Sequence, residues 1–310
     1  MPGLGWWTHR LDVNLRDYLD APEDTEEVVA RVLTHMPNLR ILTFSDTQTL
    51  IRGVYVTRSP AVLQALDCCQ DTLESIHFYL PPDPSCGDWT EFLENHPEIQ
   101  SINGNLPILR NSQIILDKLT TMHVSSYSFE ADSYYPWHLD LPSLRAITYG
   151  LGAYGTPSVT NKDFFERVGP QLTILQVSFV QAAWYAPTTL ANSLRLVFTN
   201  VLETCHNLEQ VNFVFHSWGS LSLYAPIFPP KVHKLGIRIV TPQVSKSMTL
   251  AMFTSSLRVI ARQNPSLKAI QFLSRRNVQA LHHCHCQLHE GLRVLKATGV
   301  DVLDDGGAVM

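Results

Sequence analysis

Charge is sparse in this chain: only 16% of its 310 residues are Asp, Glu, Lys or Arg, while 45% are hydrophobic. That balance excludes a disordered polyelectrolyte and predicts a packed core. Cysteine is thinner still, at 6 residues. Cys68, Cys69, Cys86, Cys205, Cys284 and Cys286 are scattered or nearly adjacent, spacings that exclude a disulfide framework of the small secreted kind. The opening MPGLGWWTHR has no basic start and no apolar run that would make a secretory leader, and nowhere do about 18 uncharged apolar residues follow one another as a membrane helix requires. No Asn-x-Ser/Thr acceptor occurs without an intervening proline. These absences predict an intracellular protein, cytoplasmic or nuclear, with no membrane partner.

Catalytic signatures are missing as well. There is no G-x-x-x-x-G-K-[ST], no G-x-S-x-G, no H-E-x-x-H and no EF-hand loop. GLGAYG at 150–155 satisfies G-x-G-x-x-G, but the preceding LRAITY alternates polar and apolar residues where a dinucleotide site needs a doubly buried strand, and Pro157 delays any helix. The expectation is a non-enzymatic protein without a cofactor.

What the sequence does contain is a recurring phrase. PNLRILTF (37–44), DTLESIHF (71–78), PEIQSING (97–104), DKLTTMHV (117–124), PSLRAITY (142–149), PQLTILQV (170–177), HNLEQVNF (206–213), PKVHKLGI (230–237), PSLKAIQF (265–272) and EGLRVLKA (290–297) share one template, L-x-x-L-x-L, with THRLDV (8–13) as a degenerate first copy. This is the leucine-rich-repeat phrase, in which the last two apolar positions flank one outward residue as a short strand requires. First positions are separated by 20 to 36 residues, so the repeat is irregular. The longer intervals leave room for a helix and the shortest does not.

Helix signals fall between the phrases. Asp24 and Glu27 have capping-box spacing ahead of an apolar stripe of Val28, Val32, Leu33 and Met36. Ser59-Pro60 reads as N-cap and first helical residue, Asp88 caps a helix burying Trp89, Phe92 and Leu93, and Asn161 caps one burying Phe164, Phe165 and Val168. Leu190 to Cys205, Met248 to Gln263 and Asn277 to Leu288 complete the set. Units of helix, turn and strand cannot bury their apolar faces alone, so they must stack. The predicted fold is α/β: an irregular leucine-rich-repeat-like solenoid, with a curved parallel sheet and helices on the convex side, forming a single domain over 1–300 with a loose tail at 301–310.

The strand register then names the outward residues of the concave face: Thr43, His77, Asn103, His123, Thr148, Gln176, Asn212, Gly236, Gln271 and Lys296, with Arg238 beside them. Small polar groups and imidazoles suit hydrogen-bonded recognition of a polypeptide. Charge is asymmetric along the chain: residues 1–100 carry 6 Lys/Arg against 16 Asp/Glu, whereas residues 231–310 carry 11 against 4. That field can orient a charged partner. The basic segment lacks the aromatic interleaving of a nucleic-acid platform, and no nucleic-acid partner is expected.

One stretch competes with this reading. HHCHCQLH (282–289) on a single helix would put Leu281, Cys284 and Leu288 inward and His282, His285, Cys286 and His289 on a neighbouring face. His282/Cys286 and His285/His289 at i,i+4 are candidate Zn²⁺ ligands for a metal-binding or hydrolytic protein, although one straight helix rarely completes a tetrahedral set.

GWWTHRLDV (5–13), MPNLRILTF (36–44) and the later phrases resemble the irregular leucine-rich-repeat-like region of fungal F-box proteins, over nearly the whole chain. The resemblance implies a protein-interaction module that binds a substrate, with an F-box docking on a ubiquitin-ligase adaptor. Repeat-like text here begins within the first dozen residues, so adaptor docking is expected only if an F-box is supplied elsewhere. The resemblance implies a protein partner without naming it.

Overall fold

The computed structural model describes residues 4–14, 25–45, 60–78, 89–103, 114–125, 139–150, 160–178, 203–215, 217–218, 221, 232–240, 248–283 and 285–310. The chain divides into two compact units, Met1–Thr148 and Tyr149–Met310.

Seven of the predicted phrases begin their strands in the same way. The N–H of Leu39, Ile99, Leu119, Leu144, Leu172, Leu208 and Leu267 donates to the carbonyl of the residue three earlier, closing a four-residue turn. In MPNL, HPEI, LPSL, GPQL and NPSL the second position is proline, whose fixed φ suits it. A second regularity follows. One carbonyl per repeat accepts the next two N–H groups of its neighbour: His9 takes those of Arg40 and Ile41, Arg40 those of Glu74 and Ser75, Glu74 those of Gln100 and Ser101, and Gln100 those of Thr120 and Thr121. The strands that follow these bonds pair side by side in parallel.

In the first unit the strands are β1 Arg10–Asn14, β2 Ile41–Ser45, β3 Ser75–Phe78, β4 Ser101–Asn103, β6 Thr121–Ser125 and β8 Ala146–Gly150, adjacent in that order, with β8 running across the division between units. Between them lie α1 Thr25–Leu33, α2 Pro60–Leu66 and α3 Trp89–Asn95. The described part of the shortest interval carries the two-residue strand β5 Ile114–Ile115, paired in parallel with β7 Leu139–Asp140. The stack survives that interval, because β4 pairs directly with β6. Leu42, Ile76, Ile102, Met122 and Ile147 form one buried row and Leu39, Leu73, Ile99, Leu119 and Leu144 a second. Each buried aliphatic side chain contributes roughly 1.5–3 kcal/mol. His96 is also fully buried, its ring nitrogens against the carbonyls of Phe92 at 2.6 Å and Leu66 at 3.1 Å, so it ties α3 to α2. The stripe expected on α1 is rotated: Ala30 and Leu33 are buried, whereas Val28 and Val32 are exposed. Packing of α1 on α2 selects the i,i+3 pair instead.

The second unit contains α4 Thr160–Val168, β9 Ile174–Ser178, β10 Gln210–Phe215, β11 Lys234–Ile239, α5 Met248–Gln263, β12 Ala269–Phe272, α6 Arg275–His282, α7 His285–Lys296 and β13 Asp301–Leu303. Its strands follow in sequence order, all parallel. α4 begins at Thr160, one residue before the expected Asn161 cap. The helix expected over 190–205 and the GLGAYG loop lie outside the described residues apart from 203–205 and Gly150.

Two expectations for the C-terminus are corrected. EGLRVLKA is the last helix, not a strand: Leu292 and Leu295 are three apart, a spacing that serves a helix as well as L-x-x-L, and the final strand is DVL at 301–303. Residues 301–310, expected to be loose, are tied down. Met310 N–H donates to the Val302 carbonyl at 2.9 Å, and Asp304 Oδ1 accepts from the N–H groups of Gly306 and Ala308.

The buried Asn277 side chain completes the end of β11. Its Oδ1 accepts the Ile239 N–H and its Nδ2 donates to the Ile239 carbonyl, both at 2.8 Å, reproducing a peptide pair with a side-chain amide. Asn277→Ala leaves both backbone groups buried without partners and is expected to cost about 2–4 kcal/mol. Urea unfolding of the full chain checks this: a change below about 0.5 kcal/mol would show that water replaces the amide without penalty.

Candidate functional site

The outward face of the first unit carries a polar row built by register. Asp12, Thr43, His77 and Asn103 are direct neighbours on β1 to β4; His123 and Thr148 hold the same position on β6 and β8. Thr43, His77, Asn103, His123 and Thr148 each follow a buried apolar residue, as period-two alternation dictates. Asp12 is the member that the sequence reading passed over, although RLDVN frames it between Leu11 and Val13 as plainly as any later phrase.

Hydrogen bonds link neighbours along the row. Arg10 pairs with Asp12 at 2.8 Å, and this bond, with help from Thr43, holds the Asp12 carboxyl below its usual range. Both groups are well exposed, so the pair adds little stability. His77 Nε2 lies 2.9 Å from Ser75 Oγ, and Asn103 Nδ2 faces His77 Nδ1 at 3.4 Å. Burial, then the charge of Arg10, pushes the His77 ring below its ordinary value, while Asp12 opposes the shift. Further along, burial pushes the His123 imidazole down to about 4, and its Nδ1 has no hydrogen-bond partner among the described residues.

Ser75, His77 and Asn103 follow the order of nucleophile, base and orienting group, but the chemistry is reversed. When Asn103 Nδ2 donates to Nδ1, the ring proton belongs on Nε2 and points at Ser75 Oγ, and in that tautomer the ring does not take the serine proton. The N–H groups of Ser75 and Ser101 are bonded to the Arg40 and Glu74 carbonyls and unavailable to a developing oxyanion. The row is suited to hydrogen-bonded binding.

The second unit presents amides. Gln176, Asn212, Gly236 and Gln271 are register neighbours on β9 to β12, and Leu303 continues the row on β13. Gln210 Nε2 donates to Asn212 Oδ1 at 2.6 Å. Asn212 lies across Gly236, where an added Cβ would fall 2.0 Å from Oδ1, so glycine is required by its neighbour's side chain. Gln271 Nε2 reaches the Asp305 carbonyl at 3.4 Å, and Arg238 is exposed two residues beyond Gly236. Lys296 is not on this face. It is the last residue of α7, misplaced because EGLRVLKA imitates the strand phrase.

The continuous helix expected through HHCHCQLH is also overturned. α6 stops at His282, capped by His283, whose N–H bonds to the Gln279 and Leu281 carbonyls, and α7 restarts at His285 to pack on α5 and β13. The four ligand candidates therefore do not share one helix. His282 and His289 are exposed, and the side chains of His285 and Cys286 lie outside the described residues. Among the described residues no three His, Cys, Asp or Glu side chains are grouped as metal ligands would be. No helix among them is long and apolar enough to cross a membrane.

Neutral His123 is the form that the fold accommodates. Between its ordinary value of 6.5 and about 4 the unfolded chain takes up a proton that the folded unit refuses, so stability falls as pH drops through that window. The full shift corresponds to about 3 kcal/mol at most. Urea midpoints at both ends of the window are expected to differ less for His123→Gln than for the natural chain, and equal differences would remove His123 as the cause.

No family profile matches the chain, and no curated protein sequence does. Among solved structures it is similar to LegL7, a leucine-rich-repeat-containing protein of Legionella pneumophila, with a TM-score of 0.48 and 10% sequence identity over 97% of this chain and 92% of that one.

Proposed function

We propose that the protein is a non-enzymatic interaction module whose outward sheet faces bind a protein partner through hydrogen bonds. The observation that carries this reading is the row Asp12, Thr43, His77, Asn103, His123 and Thr148: six adjacent strands present polar side chains at one register position, and one buried ring nitrogen in that row lacks a partner among the described residues. Strands about 4.8 Å apart place these groups at a spacing that a polypeptide backbone can follow. Gln176, Asn212, Arg238 and Gln271 offer a second surface of the same kind.

The resemblance of residues 5–13, 36–44 and the later phrases to the repeat region of fungal F-box proteins supports a finer reading. In it, the bound protein is a client presented for ubiquitin transfer, and the ligase adaptor joins through an F-box supplied elsewhere.

Affinity purification from native cells with mass spectrometry tests both. Thr43→Arg with Asn103→Arg is expected to cut partner recovery by about tenfold, equivalent to roughly 1.4 kcal/mol. Glu91→Arg with Glu94→Arg, exposed on α3, should leave it unchanged. Equal losses from the two pairs would refute the face as the binding surface, and failure to co-purify an adaptor would remove the ligase reading alone.

A further inference from the structure

The two units spend their charges differently. Met1–Thr148 holds 9 Lys/Arg against 20 Asp/Glu and Tyr149–Met310 holds 14 against 8. The ion pairs formed among the described residues, Arg10 with Asp12, Arg40 with Glu74 and Lys118 with Glu98, all belong to the first unit. In the second, Lys234, Arg238, Arg275 and Arg276 make no ion pair with any described residue.

Three of these cations gather at one place. Arg238 precedes Ile239, whose backbone N–H and C=O are both held by the side chain of Asn277, and Arg275 and Arg276 immediately precede Asn277. One buried bidentate contact therefore brings the end of β11 and the start of α6 together, with three exposed arginines within two residues of it in sequence. Two of them occupy the first turn of a helix, where the macrodipole disfavours positive charge, and no acidic side chain stands in that turn to offset it. Lys234 lies on the same side of β11 as Arg238, with the flat, Asn212-covered Gly236 between them. Val240, 42% exposed, adds an apolar spot two residues beyond Arg238.

We infer that this end of the second unit, Arg238, Arg275 and Arg276 with Lys234 and Val240, is a docking surface for an acidic, extended polypeptide segment carrying an occasional apolar side chain. Guanidinium groups pair with carboxylates through two parallel hydrogen bonds, and the amides of Gln210, Asn212 and Gln271 on the same sheet suit a peptide backbone. A nucleic acid fits less well: Phe213, Phe215, Trp218 and Phe272, the aromatic residues described on and beside these strands, are buried and offer no stacking platform. This inference rests on the proposed binding role and names the partner's chemistry.

Fluorescence anisotropy on the full chain tests it, with a labelled peptide rich in Glu and Asp with scattered Leu as the probe. Saturable binding that weakens with salt is expected, and Arg238→Glu with Arg276→Glu should weaken it by about tenfold or more. Arg262→Glu, exposed at the end of α5, should change it by less than about twofold if the cluster, not net charge, is responsible. The inference fails if the peptide does not bind, if Arg262→Glu is as damaging as the pair, if a Lys/Arg peptide binds equally, or if a single-stranded oligonucleotide displaces the probe at lower concentration than the unlabelled peptide. Partner recovery lost with Thr43→Arg/Asn103→Arg but kept with Arg238→Glu/Arg276→Glu would overturn this inference and leave the broader binding role standing.

Discussion

Everything in this protein hangs on a shared backbone acceptor. In seven repeats a single carbonyl, His9, Arg40, Glu74, Gln100 or Thr120 in the first unit and Thr173 or His233 in the second, takes two consecutive N–H groups from the next repeat. That bond fixes where a strand starts relative to its neighbour, and a one-residue slip would turn every side chain to the other face. The turn before it fixes direction. With both set, Leu, Ile and Met at alternate positions must stack into one buried row while Thr, His, Asn and Gln must line the other face. The candidate site is thus a consequence of the ladder, not an addition to it.

The same constraint explains which features were legible in the sequence. Leucine spacing and the turn prolines are local signals read by local physics, so the strands that follow PNLRILTF through PSLKAIQF lie where the phrases put them. Met248–Gln263 likewise forms the helix that its apolar period implies. Failures occur where one spacing serves two structures. Leu292 and Leu295 satisfy L-x-x-L as a strand phrase and as one side of a helix, and the arbiter is tertiary: α7 packs on α5 and lets Val302 take the inward strand position. Val28 and Val32 failed for a related reason, since helical period allows two adjacent faces and only the α1–α2 contact chooses between them. The break at His283 was invisible because nothing in HHCHCQLH is a helix breaker. The restart is imposed by the packing of α7.

The chemistry of the site was half legible. Register gave the outward residues, but not the direction of hydrogen bonding among them. Whether His77 could activate Ser75 depends on which ring nitrogen Asn103 faces, a geometric fact without sequence signature. The role of Gly236 is similar. It matches the template poorly by composition, yet its lack of a Cβ is what lets the Asn212 amide lie flat across the face.

Recognition on a surface of this kind depends on which polar groups remain unspent after the fold has used its share. Small side chains such as Thr43, Ser75 and Asn103 lose little rotamer freedom on binding, so each bond to a ligand returns more of its energy than a bond from a long exposed side chain would. The first unit commits Arg10, Arg40 and Lys118 to internal carboxylates, leaving hydroxyls, amides and imidazoles for outside use. At the end of β11 in the second unit Arg238 makes no ion pair with any described residue, and the backbone next to it is held by the neutral Asn277 side chain instead of by an acid. A cation anchored by an acid is already neutralised, whereas one positioned by a neutral amide keeps its full field for whatever approaches. Among the described residues, the difference between Arg10, Arg40 and Lys118 and the arginine at the end of β11 therefore lies in whether a carboxylate or a neutral amide stands beside the charge.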